Sequence, residues 1–253
     1  MRIAFCQTVK DRKSQMIPVL EHNIKIYEMF DKFKRHIINT TYEYSECDIS
    51  FNIVEWDCPD LSGQYILEKY SKYISIGAIN LFVIKNQPFF HCPKAKNVAH
   101  KLGILMGADY LVNLDIDNYI TFDEIIFIMK MAQHNKCCHM WAGRYDDGTY
   151  GKIGLPSEIF EKIGMYNESF PQAGAQDDNL LYNIKEFGYD LQFYPSTMKA
   201  IKNSKLDTIK HTNIKTIEEW SMGARFVKNE PFRKYETFSG ILYHKNDKQL
   251  ITL

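Results

Sequence analysis

The chain has 253 residues, and its 31 basic and 31 acidic side chains cancel. That length suits one large α/β domain, and zero net charge excludes the strong field that nucleic acid or an acidic membrane surface would call for. Nothing reads as a signal peptide and no apolar stretch approaches the ~20 residues of a membrane span, so a cytoplasmic protein acting on a small molecule or neutral polymer is expected.

In chain order, Arg2–Thr8 reads as a strand, followed by the polar turn Lys10-Asp11-Arg12. A helix is expected from about Ser14, with Ile17, Leu20, Ile24 and Tyr27 at helical spacing. Phe51–Asp57 is a second strand closed by Cys58-Pro59-Asp60, and Leu81–Lys85 a third. The stretch Asn97–Ile120 reads as a helix, a tight turn and a buried strand. Asn97 is placed as the N-cap, Val98, Leu102, Leu105 and Met106 form the packed stripe, and Gly107 follows as a C′ residue. The strand Tyr110–Leu114 then runs out into Asp115-Ile116-Asp117. Thr121 and Glu124 make a capping box for a helix burying Ile125, Ile128, Met129 and Ala132. Met140–Tyr145 and Gly151–Leu155 are further strand candidates, and Ser157 caps a short helix ended by Gly164. Asp178–Phe187, with Leu181, Ile184 and Phe187 inward, is the last clear helix, and the chain after about Asn213 is the least predictable. Alternating strands and helices with irregular later connections suggest a mixed sheet between helices.

Four separated elements carry chemistry. Asp115 and Asp117 lie two apart where a buried strand ends, so their carboxylates emerge on one face. Open α/β sheets bind ligands at that edge, and two hard oxygens suit a divalent cation that holds phosphates; good turn chemistry is the plainer reading. Thr8-Val9-Lys10-Asp11-Arg12 puts two cations at the end of the first strand, able to grip a diphosphate or simply to be solvated. Gly174-Ala175-Gln176-Asp177-Asp178 precedes a helix, where a carboxylate is either a cap or a general base. His211 is either structural or, through a neutral imidazole, a metal ligand.

Together, over roughly residues 3–215, these resemble the GT-A nucleotide-sugar glycosyltransferases, and most of all the β-1,4-galactosyltransferase type. Thr8–Arg12 stands where that family has a nucleotide-binding turn, and Asn97–Met106 matches its Asn-led helix before the D-x-D strand. Tyr150–Gly154 and Ser157–Ile163 look like its "G-G-x-x" strand and following helix, and Gly164–Glu168 like the turn after them. Gly174–Asn179 resembles its acidic acceptor motif, and Ile209-Lys210-His211-Thr212 its metal-binding histidine. Gln176 and Asn179 depart from the acids of that motif, and Ile209 from a methionine ligand.

The resemblance implies an α/β, Rossmann-like GT-A domain over 1–253 with a mixed, mostly parallel central sheet flanked by helices. Residues 1–120 would bind the nucleotide-sugar, 121–215 the acceptor, and 216–253 form a C-terminal extension. It implies a metal-dependent, inverting transfer of a hexose from a nucleotide-sugar, with UDP as the nucleotide, to a glycan, glycoprotein or glycolipid hydroxyl. Asp117 and His211 would hold Mn²⁺ or Mg²⁺. Thr8, Lys10, Arg12, Asp57, Asn97 and Asp115 would contact the nucleotide, Asp177 would be the base, and Trp141, Tyr150, Gln176 and Asp178 would meet the acceptor. With Tyr145, the aromatics Trp141 and Tyr150 could form a sugar-stacking wall or ordinary core.

Other readings are weaker. Asp115-Ile116-Asp117 also resembles the first motif of haloacid-dehalogenase-type phosphatases, but it comes late and Asp177-Asp178 follow no strand. Sugar nucleotidyltransferases would need a glycine-rich loop that Gln7–Lys13 lacks. The six cysteines have no disulfide spacing, and in His134–His139 the adjacent Cys137 and Cys138 are poorly placed for one zinc ion. A degenerate transferase fold kept as a glycan-binding or partner module stays open because of Gln176.

Overall fold

Both sets of alternating side chains on β1 (Arg2–Val9) are apolar and buried: Ile3, Phe5 and Val9 on one side, Ala4 and Cys6 on the other. Such a strand belongs in the middle of a sheet with helices over both faces. The computed structural model, which describes residues 1–37, 46–144, 147–170, 172, 174–202, 210–215 and 228–253, has that arrangement. β1 pairs in parallel with β2 (Asp48–Trp56) and with β4 (Tyr110–Asn113), and β2 with β3 (Ile79–Ile84). The outer strands are β5 (Cys137–Met140), β6 (Ile153–Pro156), β7 (Leu191–Tyr194), β8 (Ser239–His244) and β9 (Asp247–Thr252). The sheet has nine strands in the order β7-β5-β6-β4-β1-β2-β3-β8-β9. Its centre is parallel, while β6 runs against β4 and β8 against β3.

One face is covered by α1 (Lys13–Ile37), α2 (Ser62–Lys69), α3 (Ser71–Ser75) and α5 (Phe122–Gln133). The other carries α4 (Cys92–Leu105), α6 (Ser157–Lys162) and α7 (Gln176–Glu186). α4 lies close on the sheet at Gly103, where a Cβ would meet Leu111 Cδ2 at 2.7 Å and Ala4 Cβ at 3.2 Å. Among the described residues no helix is long and apolar enough to cross a membrane, and the six cysteines are free thiols.

Several expectations change. Helix α4 begins at Cys92 with Pro93 in its first turn, so Asn97 is a mid-helix residue and not an N-cap. Its buried amide donates to the Tyr166 carbonyl at 2.8 Å and to Glu168 at 2.9 Å, and accepts from the Tyr166 N–H at 2.9 Å. Leu105 points to solvent, because Ala95, Val98, Ala99 and Leu102 already cover the sheet. Met16 is buried more fully than Ile17 in α1. The strand expected over Met140–Tyr145 forms earlier, as β5, since Cys137–Met140 pairs in register with Leu191–Tyr194; Tyr145 lies outside the described residues. Ser157 is the first residue of α6 rather than its cap, and its hydroxyl donates to the Ala108 carbonyl. Cys137 and Cys138 face opposite sides of the sheet, which separates them as ligands. The residues after 228 contribute β8 and β9 to the same sheet.

The capping box at α5 forms as expected, and it reaches further. Glu124, with no exposed surface, also pairs with buried Lys152 at 3.0 Å, and Ser196 bridges them by donating to Glu124 at 2.6 Å and accepting from Lys152 at 2.9 Å. Burial lowers the Lys152 pKa, and Glu124 opposes that shift.

His100 is buried without charge. Its Nδ1 pairs with the Lys96 carbonyl at 2.7 Å, and its ring stacks on Phe160 with centroids 4.5 Å apart. Burial lowers its pKa to about 3. The unfolded chain therefore takes up this proton first as pH falls. The stability His100 contributes is complete above its ordinary pKa near ~6.5 and drains away toward its folded value, by ~1.4 kcal/mol per pH unit. Urea melts between roughly pH 7 and 4.5 should give a slope smaller in His100→Gln than in the native protein by about that amount; equal slopes would show that His100 does not titrate on unfolding.

Candidate active site

Because β1, β2 and β4 are parallel, their carboxyl ends meet at one edge. Beyond β4 the Leu114 N–H still donates to the Cys6 carbonyl at 3.0 Å, which carries Asp115 and Asp117 out beside the end of β1. Arg12 reaches Asp117 at 3.0 Å, and Asn118 donates to the other oxygen of Asp117 at 3.0 Å. Thr8 is largely buried on β1 opposite Val54. Asp57 ends β2 in a left-handed conformation, and its carboxylate accepts from the Gln87 N–H at 3.0 Å.

Lys10 has a job within the fold. Its buried ammonium donates to the carbonyls of Asp57 at 2.7 Å and Gln87 at 2.9 Å, pinning the β1 turn to the end of β2. Asn97 is likewise spent inside the fold, clamping α4 to the Tyr166–Glu168 turn.

The second half of the site comes from β6 and α7. Asn113 donates to the Gly151 carbonyl at 2.7 Å, so the residue leading into β6 lies against Asp115. A Cβ on Gly151 would stand 2.8 Å from Asp115 Oδ2 and 3.2 Å from Asp177 Oδ2. Left-handed backbone at Gly174 and Ala175 aims the first turn of α7 back at this point. Two acids far apart in sequence therefore face each other over a glycine.

Lys96, a residue the sequence reading did not single out, lies between them. Its ammonium is 3.1 Å from Asp115 Oδ1 and 2.8 Å from Asp177 Oδ1, and 5.5 Å from the ring centre of Tyr166. Burial opposes its charge, but Asp115 and Asp177 outweigh that and hold its pKa well above the usual lysine value. Burial raises the Asp177 pKa; Lys96 counters this and Asp115 adds to it. Gln176 donates to Asp177 Oδ2 at 3.2 Å, while its own Oε1 is buried and has no hydrogen-bond partner among the described residues. The one local clue to Lys96 is its place on the buried face of the helix before the Asp115 strand, where a lysine needs a counter-charge.

Beside the acids stands an aromatic group. The Tyr150 hydroxyl donates to Asp178 at 2.6 Å, the Trp141 ring meets Tyr150 edge-on at 5.0 Å, and His139 lies parallel to Trp141 at 5.7 Å. This joins the expected acceptor residues Trp141, Tyr150, Gln176 and Asp178 around Asp177.

His211 sits on the far side of the β1 turn, with Nε2 3.0 Å from Asp11 Oδ2 and its carbonyl accepting from the Phe90 N–H at 2.6 Å. Burial lowers its pKa; Asp11 opposes this, while Lys210, Arg12 and Lys10 reinforce it. Ile209 lies outside the described residues. Next to His211 opens a cavity of about 560 Å³ lined by Arg12, Lys13, Ser14, Asp60 and Lys210. Among the described residues no three His, Cys, Asp or Glu side chains converge as a metal cage. The carboxylates of Asp115 and Asp117 present hard oxygens of the kind a divalent cation takes, and a cation there would draw its remaining donors from phosphate and water.

No family model and no curated protein sequence matches this chain. Solved structures do. A mannosyltransferase from Pyrobaculum calidifontis, in complex with GDP-Man and Mn²⁺, superposes with a TM-score of 0.58 at 12% identity over 83% of this chain and 61% of that one. S. aureus TarS residues 1–349 give 0.55 at 10% identity, over 87% and 68%. The catalytic domain of Drosophila β1,4-galactosyltransferase 7, in complex with xylobiose, gives 0.52 at 10% identity over 99% of this chain and 91% of its own. The likeness is one of fold, and the fold of this chain is the GT-A fold of nucleotide-sugar glycosyltransferases.

Proposed function

We propose that this protein transfers a hexose from a nucleotide-sugar, UDP-linked, to a hydroxyl of a glycan acceptor, with inversion. The observation that carries this reading is the convergence of Asp115 and Asp177 on Gly151, which brings the acid that ends β4 and the acid that opens α7 to one point of the sheet edge. Supporting it, structures of the same fold hold GDP-Man with Mn²⁺, or UDP-Gal with manganese and xylobiose.

In this reading the nucleotide lies over the ends of β1 and β2, against Thr8, Arg12 and Asp57, with Asp115 toward the ribose. Asp117 and His211 would hold Mn²⁺ or Mg²⁺, which when bound neutralises charge on the departing diphosphate. The acceptor rests on Trp141 and Tyr150, with Gln176 and Asp178 beside its other hydroxyls. Asp177 Oδ2 takes the proton of the attacking hydroxyl. The acceptor oxygen bonds to the anomeric carbon, the bond from that carbon to the phosphate oxygen breaks, and its electron pair leaves with the diphosphate. Burial raises the Asp177 pKa, which makes its carboxylate a stronger base. A glycan-binding module without turnover is the second reading, favoured by an amide at Gln176 beside the Trp141–Tyr150 wall.

Thermal shift with UDP, GDP and their common sugar conjugates, with and without Mn²⁺, separates these readings. Manganese-dependent stabilisation by one nucleotide is expected, about 2.7 kcal/mol at one hundred times Kd, and Asp117→Ala should abolish it. No shift with any nucleotide, alongside binding of a glycan, would favour the module.

For the base, Asp177→Asn should keep the donor-induced shift and lower transfer by roughly 10²–10⁴. Transfer at the native rate in that variant would remove Asp177 from the role.

A further inference from the structure

We propose that Lys96 is a positioning residue for the general base, tying one oxygen of Asp177 to Asp115 so that the other oxygen alone faces the acceptor. The proposal rests on the reading of Asp177 as that base.

The argument begins with where the charge is. Lys96 is 2% exposed, on the inner face of a helix, and an ammonium there is stable only if its protons are spent on partners. Two of those partners are Oδ1 of Asp115 and Oδ1 of Asp177, at 3.1 and 2.8 Å. A carboxylate held at one oxygen by a fixed ammonium has lost the freedom to rotate. Its second oxygen is then committed to a direction: in both acids Oδ2 lies against Gly151, 2.8 and 3.2 Å from where a Cβ would stand, while the side chains keep 33% and 14% of their surface open.

The backbone makes the tie rigid. Asn97, the next residue, is bonded through both ends of its amide to Tyr166 and Glu168, and the Lys96 carbonyl is held by His100. The lysine stem is therefore anchored on the residue after it and on the next helical turn. On the acid side, Asp177 is fixed by the left-handed turn at Ala175 and by Gln176. Preorganisation of this kind keeps a base within reach of its proton without reorganisation during the reaction.

A lysine that merely balanced buried charge would satisfy the same distances, so the test must read the coupling to Asp177. We would measure kcat and donor KM for Lys96→Met, Asp177→Asn and the double variant, with Lys96→Arg as the conservative change. The expected result is a fall of about 100-fold or more in kcat for Lys96→Met with donor KM within about threefold, partial recovery in Lys96→Arg, and a double variant no slower than Asp177→Asn. Independent, multiplying losses in the double variant would overturn the proposal, as would a Lys96→Met defect confined to donor KM. If Lys96→Met does not fold, the cycle is run in an Asp115→Asn background, which removes the charge left unpaired. Absence of transfer by the native protein across the donor panel would be a failure of the transferase reading. The tie itself is then judged by melting: sub-additive destabilisation in the double variant supports it, and additive destabilisation rejects it.

Discussion

The site depends on one constraint, that β1 runs parallel to both of its neighbours. Ile3 to Cys6 pair with Tyr110 to Asn113 on one side, and Arg2 to Val9 with Asp48 to Glu55 on the other. Three strands drawn from the first half of the chain therefore stop together, and the turns that follow them have to share one edge. Lys10 makes this sharing rigid by binding carbonyls of the neighbouring loop. The antiparallel strand β6 then brings Gly151 to the same edge from the opposite direction. A side chain at that glycine would collide with both acids, so the close approach of Asp115 and Asp177 needs the smallest residue there.

Two buried ammonium groups sit within this framework, and their surroundings separate scaffold from site. Lys152 meets Glu124 where neither side chain has any exposed surface, and Ser196 completes the hydrogen bonds. That cluster is closed. Lys96 is just as buried, yet its partners are not: the side chains of Asp115 and Asp177 keep 33% and 14% of their surface. A buried cation whose counter-charges open to solvent costs more desolvation than packing alone requires. The arrangement makes sense where the open side of those carboxylates is used.

What was legible in the sequence was local or periodic. The Thr121–Glu124 box could be read because its partners are three residues apart, and the strand before Asp115 because four apolar-rich residues precede it. Gly107 and Gly164 mark turns because their positive φ is a property of single residues. Asn97 was misread because its cap-like chemistry is satisfied by Tyr166 and Glu168, some seventy positions later. The backbone bonds of Lys10 were hidden for the same reason, since a cation beside a strand end says nothing about carbonyls on another loop. Lys96 carries a single local clue, a lysine on a buried helix face, and its partners Asp115 and Asp177 emerge only once α4 is laid across the sheet. The β8–β9 hairpin was hidden because its register is set by pairing with β3 rather than by its own pattern, which is mostly exposed in β9.

The two residues expected to hold a metal illustrate the same limit in energetic terms. Asp117 is paired with Arg12, and His211 with Asp11, so each is satisfied by a neighbour from the single turn that follows β1. Such pairs are only partly shielded from water and individually worth little, so a divalent ion arriving with a diphosphate can outcompete them. In the proposed reading the exchange conserves charge. Arg12 gives up a carboxylate and gains phosphate oxygens, which its planar fork fits at least as well. The turn from Lys10 to Arg12 thus combines a fixed residue and an exchangeable one: Lys10 is locked to backbone, which leaves Arg12 as the cation free to change partners when a donor binds.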